Sequence, residues 1–499
     1  MQFRDWKVPS ATAKPRLACS ELGSLTGFEF SVYSAVIVPA SATTPEHCRV
    51  NLMVQPEVNV EVNLPTAWNG RLYMFGNGGF AGESFEAPAR VGYRSRGLKA
   101  GFVTAATDTG HSALAEPGAS FALNRQKAID FGFRALHVTA ESAKRVIKAY
   151  YLNPLSKSYF DGCSTGGRQA MIIAQRFPAD FDGIIAGAPG LYNTGIQLSR
   201  AYWMQGLAQN PFPAEKLGLL AKKVYDHCDA KDGLKDGLID DPLKCDFRPD
   251  RDLPRCAGAE QAECFTANQI AAVARIYNDV PRQGKRFFPG WPLGAEIAGP
   301  NGQSGWIGQE IDGPNGPGAW TTYSRNFIRF FLAPGTPLAG VTDADAIARF
   351  DIDKDSERLD FVRQILDATD PDLSAFKKRG GKLLMYFGWA DPQLNPRMGV
   401  EYYEDVLAKM GPATPEFARL FMVPGMFHCG GGVGTSTFDV ATHLVDWVEA
   451  GKAPDVIQAS RIVNSQVVRT RPLCPYPQVA RYKGTGSIDE AANFSCVKP

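Results

Sequence analysis

The chain has 499 residues, more than one compact core usually organises, so two domains or one domain with a large insertion is expected. Its 44% hydrophobic and 21% charged residues are ordinary for a globular protein. A formal net charge of +1, with no Lys/Arg run interleaved with aromatics, argues against a nucleic-acid partner, and no apolar run approaches the roughly 18 residues of a membrane span.

The opening segment, MQFRDWKVPS, lacks the apolar stretch of a secretory signal, so the compartment has to be read from the cysteines. There are ten, an even number, and none sits in a zinc-type CxxC pair. Cys228 lies near Cys245, Cys256 near Cys264 and Cys474 near Cys496, with Cys19, Cys48, Cys163 and Cys429 standing apart. This grouping reads as disulfides formed in an oxidising compartment, which predicts a secreted or periplasmic protein.

Four β-rich runs follow: Arg71–Phe75, Gly101–Ala105, Lys157–Phe160 and Gly183–Ala186. Between the second and third, Gln126–Tyr151 carries apolar residues at helical spacing. Strands alternating with helices predict an α/β fold with a mostly parallel sheet covered on both faces. The alternation stops from about Leu191 to Leu373, a stretch with a helix candidate at Ala214–Tyr225 and a Gly/Pro/Trp-rich section at Phe288–Trp320. It resumes with the strand Lys382–Phe387, a helix around Met398–Lys409, the strand Leu420–Val423 and a helix over Val440–Glu449. The expected organisation is a catalytic domain in two parts, 1–190 and 374–499, with a lid domain inserted at 191–373.

Asp161-Gly162-Cys163-Ser164-Thr165-Gly166-Gly167 follows a strand and precedes the helix-compatible run Arg168–Arg176, so its G-x-S-x-G has the strand–turn–helix context of a nucleophile elbow. A sharp turn there holds the Ser164 hydroxyl exposed, and the Thr165 N–H, at a helix N-terminus, is placed to stabilise an oxyanion. The pattern by itself also occurs as a plain Gly-rich turn.

Of six histidines, only His428 and His443 follow the serine at the distance that the chain order Ser–acid–His requires. His443 sits inside a helical pattern and reads as structural, whereas His428 lies in a Gly-rich loop directly after a strand. Asp391 follows the strand Lys382–Phe387 and is the candidate acid, although an Asp before Pro also initiates turns. In these roles Ser164 attacks, His428 shuttles the proton and Asp391 fixes the imidazole tautomer.

Cys163 directly precedes Ser164, and Cys429 directly follows His428. A disulfide between them would tie the elbow to the histidine loop; two buried free thiols are the alternative.

With these motifs in hand, the chain resembles the tannase and feruloyl esterase family, whose hallmark is a Cys-Ser, an Asp and a His-Cys with the two cysteines bonded. The resemblance runs through WNGRLYMFGNGGFAG, the TDTGH segment at Thr107–His111, YFDGCSTGGRQA, YFGWADP and VPGMFHCGGG. It implies an α/β-hydrolase fold and the disulfide pairings 228–245, 256–264 and 474–496, leaving 19–48. It also implies that the Gly-rich turn after Arg71–Phe75 gives the second oxyanion donor; Gly79 is the choice, with Gly78 next.

In the insertion, the segment from Cys228 to Asp241 carries five aspartates and two Asp-Gly turns. Carboxylates and turned carbonyls suit Ca²⁺, but the spacing is not that of an EF-hand. The resemblance implies a structural Ca²⁺ held by the side chains of Asp229, Asp232 and Asp236 and the carbonyls of Leu234 and Leu238. A solvated acidic turn is the plain alternative.

The insertion also holds Trp291, Trp306, Trp320, Tyr323, Phe327, Phe330 and Phe331, suited either to stacking on a planar acyl group or to the lid's own core. Arg325 and Arg329 are candidates for meeting a substrate carboxylate, or are surface charges. The expected activity is hydrolysis of a small aromatic ester: feruloyl or other hydroxycinnamoyl, galloyl, or a terephthalate monoester. A non-catalytic carbohydrate-binding or adhesion protein on the same scaffold and a serine peptidase are the competing readings.

Overall fold

The computed structural model describes residues 15–210, 214–299, 303, 305–306, 311–312, 316–343, 345–355 and 358–498. The opening segment and parts of the Gly/Pro/Trp-rich section lie outside the described residues. Four strands open the chain: β1 (Phe30–Val38), β2 (His47–Val54), β3 (Val58–Pro65) and β4 (Arg71–Phe75). They are followed by β5 (Val103–Thr107), β6 (Lys157–Cys163) and β7 (Gly183–Gly187). Two short strands, β8 (Val280–Arg282) and β9 (Lys285–Phe288), pair within the insertion. Next come β10 (Lys382–Gly388) and β11 (Ala418–Val423), then two hairpins, β12 (Ile457–Val463) with β13 (Gln466–Leu473) and β14 (Val479–Tyr482) with β15 (Phe494–Val497).

The main sheet runs in the order β1-β2-β3-β5-β4-β6-β7-β10-β11. From β5 to β11 every pairing is parallel, while β1, β2 and β3 join antiparallel at the β5 edge. The sheet is mixed, yet five of its eight described pairings are parallel, as the sequence pattern predicted. The parallel strands are short apolar runs buried on both faces, as crossovers through helices demand.

The helices of the first half are α1 (Pro88–Lys99), α2 (Arg125–Ile129), α3 (Ala135–Tyr150) and α4 (Thr165–Arg176), followed by α5 (Asn193–Gln209) and α6 (Ala214–Cys228). On one face of the sheet, Leu72, Val103, Phe160, Ile184 and Met385 pack with Ala140 and Ile147 of α3 and Ile172 of α4. On the other, Tyr73, Phe75, Tyr159, Ile185 and Tyr386 pack with Phe102 and with Leu444 of the helix Val440–Ala450. The predicted helix over Gln126–Tyr151 is interrupted by a wider turn at Asp130–Arg134. That turn points the Gly132 and Phe131 carbonyls at the buried guanidinium of Arg168.

The insertion shares the main core. Trp203, Trp291, Trp306 and Trp320 are fully buried and continuous with the apolar residues beside the sheet. Trp291 and Trp320 lie 4.6 Å apart between ring centroids. Their indole N–H groups donate to the carbonyls of Asp391 and Pro392, which fastens the inserted segment to the loop after β10.

Candidate active site

The site is assembled where β4, β6, β10 and β11 end. After Cys163 the chain turns so sharply that Ser164 adopts φ 65° and ψ −122°, a conformation an L-residue enters only under strain. The turn is held by the Ser164 N–H bonding to the Gly187 carbonyl at 3.0 Å and by α4 beginning at the next residue. Small residues make room for it: a Cβ on Gly167 would lie 2.2 Å from the Gly187 oxygen. A Cβ on Gly76, in the loop after β4, would lie 2.5 Å from the Gly166 Cα, so that loop and the elbow touch backbone to backbone.

The loop after β4 is pinned nearly atom by atom. The Gly76 N–H bonds the Asp161 carbonyl, and Arg90 of α1 donates to the Gly76 carbonyl at 2.6 Å. The Asn77 N–H bonds Gln169 Oε1 at 2.9 Å, and the Gly78 N–H bonds Glu83 Oε1 at 2.7 Å. The Gly79 carbonyl accepts from Thr165 Oγ1 at 2.6 Å, and His111 Nε2 lies 3.0 Å from the Phe80 carbonyl. Glycine is favoured at Gly79, where φ is +50° and a Cβ would lie 2.9 Å from the Tyr323 hydroxyl. Gly79 and Thr165 are half-buried at the cavity wall, where an N–H without a protein acceptor is free to receive a ligand oxygen. Among the described residues the N–H groups of Gly79 and Thr165 have no hydrogen-bond acceptor, whereas that of Gly78 is committed. Gly79 rather than Gly78 thus faces the site. The TDTGH segment backs this loop, with Thr107 accepting from Asn77 and Arg90 and His111 stacked on Phe121.

His428 follows β11 and Asp391 follows β10. His428 Nδ1 lies 2.8 Å from Asp391 Oδ2. Asp391 is fully buried, and its other oxygen accepts the N–H groups of Gln393 and Leu394 at 2.8 and 2.9 Å. The carboxylate is an acceptor, so the imidazole proton sits on Nδ1 and Nε2 is left with a lone pair. Cys163 and Cys429 form a disulfide with Cα atoms 6.0 Å apart across 266 residues of sequence. The thiol alternative is therefore closed. The remaining cysteines pair as 19–48, 228–245, 256–264 and 474–496, as the resemblance implied.

Ser164 and His428 line one small cavity of about 40 Å³ together with Thr165 and Gly79. Its aromatic walls are Phe80, Phe131 and Tyr323, and its polar ones include Asn193, Gln197 and Arg200 of α5. Asn193, Gln197 and Arg200 stand at i, i+4 and i+7, one helical face, a signal readable in the sequence had α5 been placed there. Of the insertion's aromatics named from sequence, Tyr323 reaches the cavity. Trp291, Trp306, Trp320, Phe327 and Phe331 are buried in the core, and Phe330 packs beside Phe331's cluster. Arg329 bonds the Val341 carbonyl and pairs with Asp343, and neither it nor Arg325 lines the cavity. His443 lies within the helix Val440–Ala450, away from the cavity lining.

The acidic loop is closed by the Cys228–Cys245 disulfide. Asp232 is pushed up to about 6 by burial and by the neighbouring charges of Asp236 and Asp229, so the loop crowds like charges that a cation would relieve. The carbonyls of Leu234 and Leu238 accept no hydrogen bond from any described residue. Arg471 and Arg469 both approach Asp236, partly neutralising it. This oxygen-only donor set, with two unspent carbonyls, suits a hard divalent cation. A separate cluster, His227, Cys245 and Asp246, offers no thiolate because Cys245 is bonded to Cys228.

The family profile described as tannase and feruloyl esterase matches residues 42–497. The chain is 34% identical to a mono(2-hydroxyethyl) terephthalate hydrolase of Piscinibacter sakaiensis, covering 93% of this chain and 87% of that one. It is 32% identical to a probable feruloyl esterase of Arthroderma benhamiae, covering 100% and 95%. Among solved structures, feruloyl esterase B from Aspergillus oryzae superposes with a TM-score of 0.79 at 28% identity, over 96% of this chain and 99% of that one.

Proposed function

Because this chain belongs to the tannase and feruloyl esterase family and is a carboxylic ester hydrolase, we propose that it cleaves esters of aromatic acids through an acyl-enzyme on Ser164. His428 takes the Ser164 proton as the hydroxyl oxygen attacks the ester carbonyl, then returns it to the leaving alcohol. A water activated by the same imidazole releases the acid. Asp391 holds the Nδ1 tautomer and stabilises the imidazolium as it forms. The N–H groups of Gly79 and Thr165 receive the negative oxygen of the tetrahedral intermediate, a contribution typically worth 10²–10³ in kcat per donor.

One observation carries this reading: His428 is bonded to a buried carboxylate at 2.8 Å and, through its neighbour Cys429, is bonded to the residue beside Ser164. A binding protein has no use for an oriented base beside a strained serine. The aromatic walls Phe80, Phe131 and Tyr323 support a planar acyl group of the feruloyl, galloyl or terephthalate type. The segment 191–373 acts as the lid that closes over it.

Calcium belongs to the same proposal: Asp229, Asp232 and Asp236 with the Leu234 and Leu238 carbonyls would hold it. Bound there it supplies positive charge to a crowded acidic loop and braces the insertion, away from the reacting atoms. The five disulfides support export to an oxidising compartment, and no described helix is long and apolar enough to cross a membrane.

The test is kcat/KM for methyl ferulate, methyl gallate and mono(2-hydroxyethyl) terephthalate, beside the matching anilides. Turnover of at least one ester with negligible amide cleavage is expected. Amide turnover at a comparable rate, or none of the esters cleaved, contradicts it.

A further inference from the structure

Two N–H groups can stabilise one oxyanion only if the distance between them is fixed, and here they come from different elements. Thr165 opens α4, whereas Gly79 lies in the loop after β4. The loop reaches the helix through Gln169, one turn along α4 from Thr165 and fully buried. The Asn77 N–H donates to Gln169 Oε1 at 2.9 Å, and Gln169 Nε2 donates back to Asn77 Oδ1 at 3.2 Å. The orientation of the Asn77 amide is forced. Its nitrogen is spent on Glu83 Oε2 and the Thr107 carbonyl, both at 2.9 Å, so its oxygen must face Gln169.

We propose that Gln169 is a positioning residue that sets the separation of the two oxyanion donors by locking the loop after β4 to the elbow helix. The inference rests on the oxyanion role given to Gly79 and Thr165 above. Gln169 does not line the cavity, so it touches no substrate and acts through the donors. A second link, Thr165 Oγ1 to the Gly79 carbonyl at 2.6 Å, ties the exposed end of the same junction. Gln169 ties the buried end. The close approach of Gly76 to Gly166 leaves no side chain between loop and helix to do this instead. Removing the amide would strand a buried N–H and a buried carbonyl oxygen of Asn77, and the loop would move to find water or another partner.

The experiment compares wild type with Gln169→Met and Gln169→Glu. For Gln169→Met, kcat should fall 10- to 100-fold with KM changed less than 2-fold. The inhibition constant of an arylboronic acid, which adds to serine as a tetrahedral mimic, should weaken by the same factor. Binding of the free aromatic acid should not change. Gln169→Glu keeps the acceptor for the Asn77 N–H and regains the donor only when its carboxyl is protonated. Its kcat relative to wild type should therefore rise as pH falls. Unchanged kcat and boronate affinity in Gln169→Met overturn the proposal, as does an equal loss in acid binding. If Gln169→Met does not fold, a pH-independent ratio for Gln169→Glu overturns it. Ser164→Ala is run in parallel: retained turnover there removes the oxyanion reading itself, whereas a silent Gln169 with an inert Ser164→Ala removes only the positioning role.

Discussion

Cys163 and Cys429 join the residue before Ser164 to the residue after His428. The covalent bond therefore spans the pair whose side chains exchange a proton in the proposed mechanism. In the loop-entropy view, closing 266 residues restricts the unfolded chain by on the order of 5 kcal/mol.

Replacing both Cys163 and Cys429 by alanine should lower kcat at least 10-fold with KM little changed, because the imidazole loses its registration with the serine. The control is the Cys19–Cys48 pair, near the β1–β2 edge of the sheet and far along the chain from the triad. Its double alanine variant should lower Tm while kcat at 25 °C stays within 2-fold. Equal kcat losses in the two variants would mean that the bridge acts on stability alone.

Asp391→Asn should lower kcat by 10²–10⁴ while leaving the fold intact. The Asn oxygen can still accept from Gln393 and Leu394, but its amide nitrogen would then face His428 Nδ1 and favour the wrong tautomer. Steady-state kinetics beside circular dichroism reads this directly.

The places of Ser164, Asp391 and His428 were legible in the sequence because each is a local pattern: a strand followed by a turn that carries one polar side chain. The parallel strands were legible for the same reason, as short apolar runs bounded by Gly and Pro. The antiparallel strands β1–β3 were not identified, although HCRVNLMV and VNVEVNLP alternate apolar and polar residues at the strand period. The hairpins β12–β15 were also missed; β14 and β15 have only four residues each, and β13 exposes Val467 and Val468. Of the residues that reach the cavity from the insertion, Tyr323 was among the aromatics named from sequence, whereas Asn193, Gln197 and Arg200 were not named, because their shared helical face has meaning only once α5 is placed beside the cavity. The aromatic density of Phe288–Trp320 marked a core, with Trp291 and Trp320 braced on the acid loop, rather than a wall of the cavity.

The proposed calcium site predicts that stability depends on a divalent cation bound in the acidic loop. Removing bound metal with a chelator should lower Tm by about 3 °C when Ca²⁺ had been present at 100-fold above its dissociation constant. Adding Ca²⁺ back should restore it. The triple variant Asp229→Asn, Asp232→Asn, Asp236→Asn should lose this response with kcat at 25 °C within 2-fold of wild type. A chelator-insensitive Tm, by differential scanning fluorimetry, contradicts the calcium proposal.

Asp367 is buried, accepts from the Thr194 N–H and hydroxyl, and is pushed up to about 7 by desolvation. A carboxyl raised in the folded state holds its proton there after the unfolded chain, near pH 4, has released it. Its contribution to stability is therefore full below about pH 4 and is lost as pH rises toward 7. Asp367→Asn should flatten this part of the Tm–pH curve and give a Tm at pH 8 equal to or above wild type. A variant less stable than wild type at pH 8 would contradict this.

The most direct measurement of the central claim is intact-protein and peptide mass spectrometry after reaction with a fluorophosphonate. A single adduct on the peptide carrying Ser164 is expected, lost in Ser164→Ala together with ester turnover. An adduct on any other residue, or undiminished hydrolysis by Ser164→Ala, would contradict it.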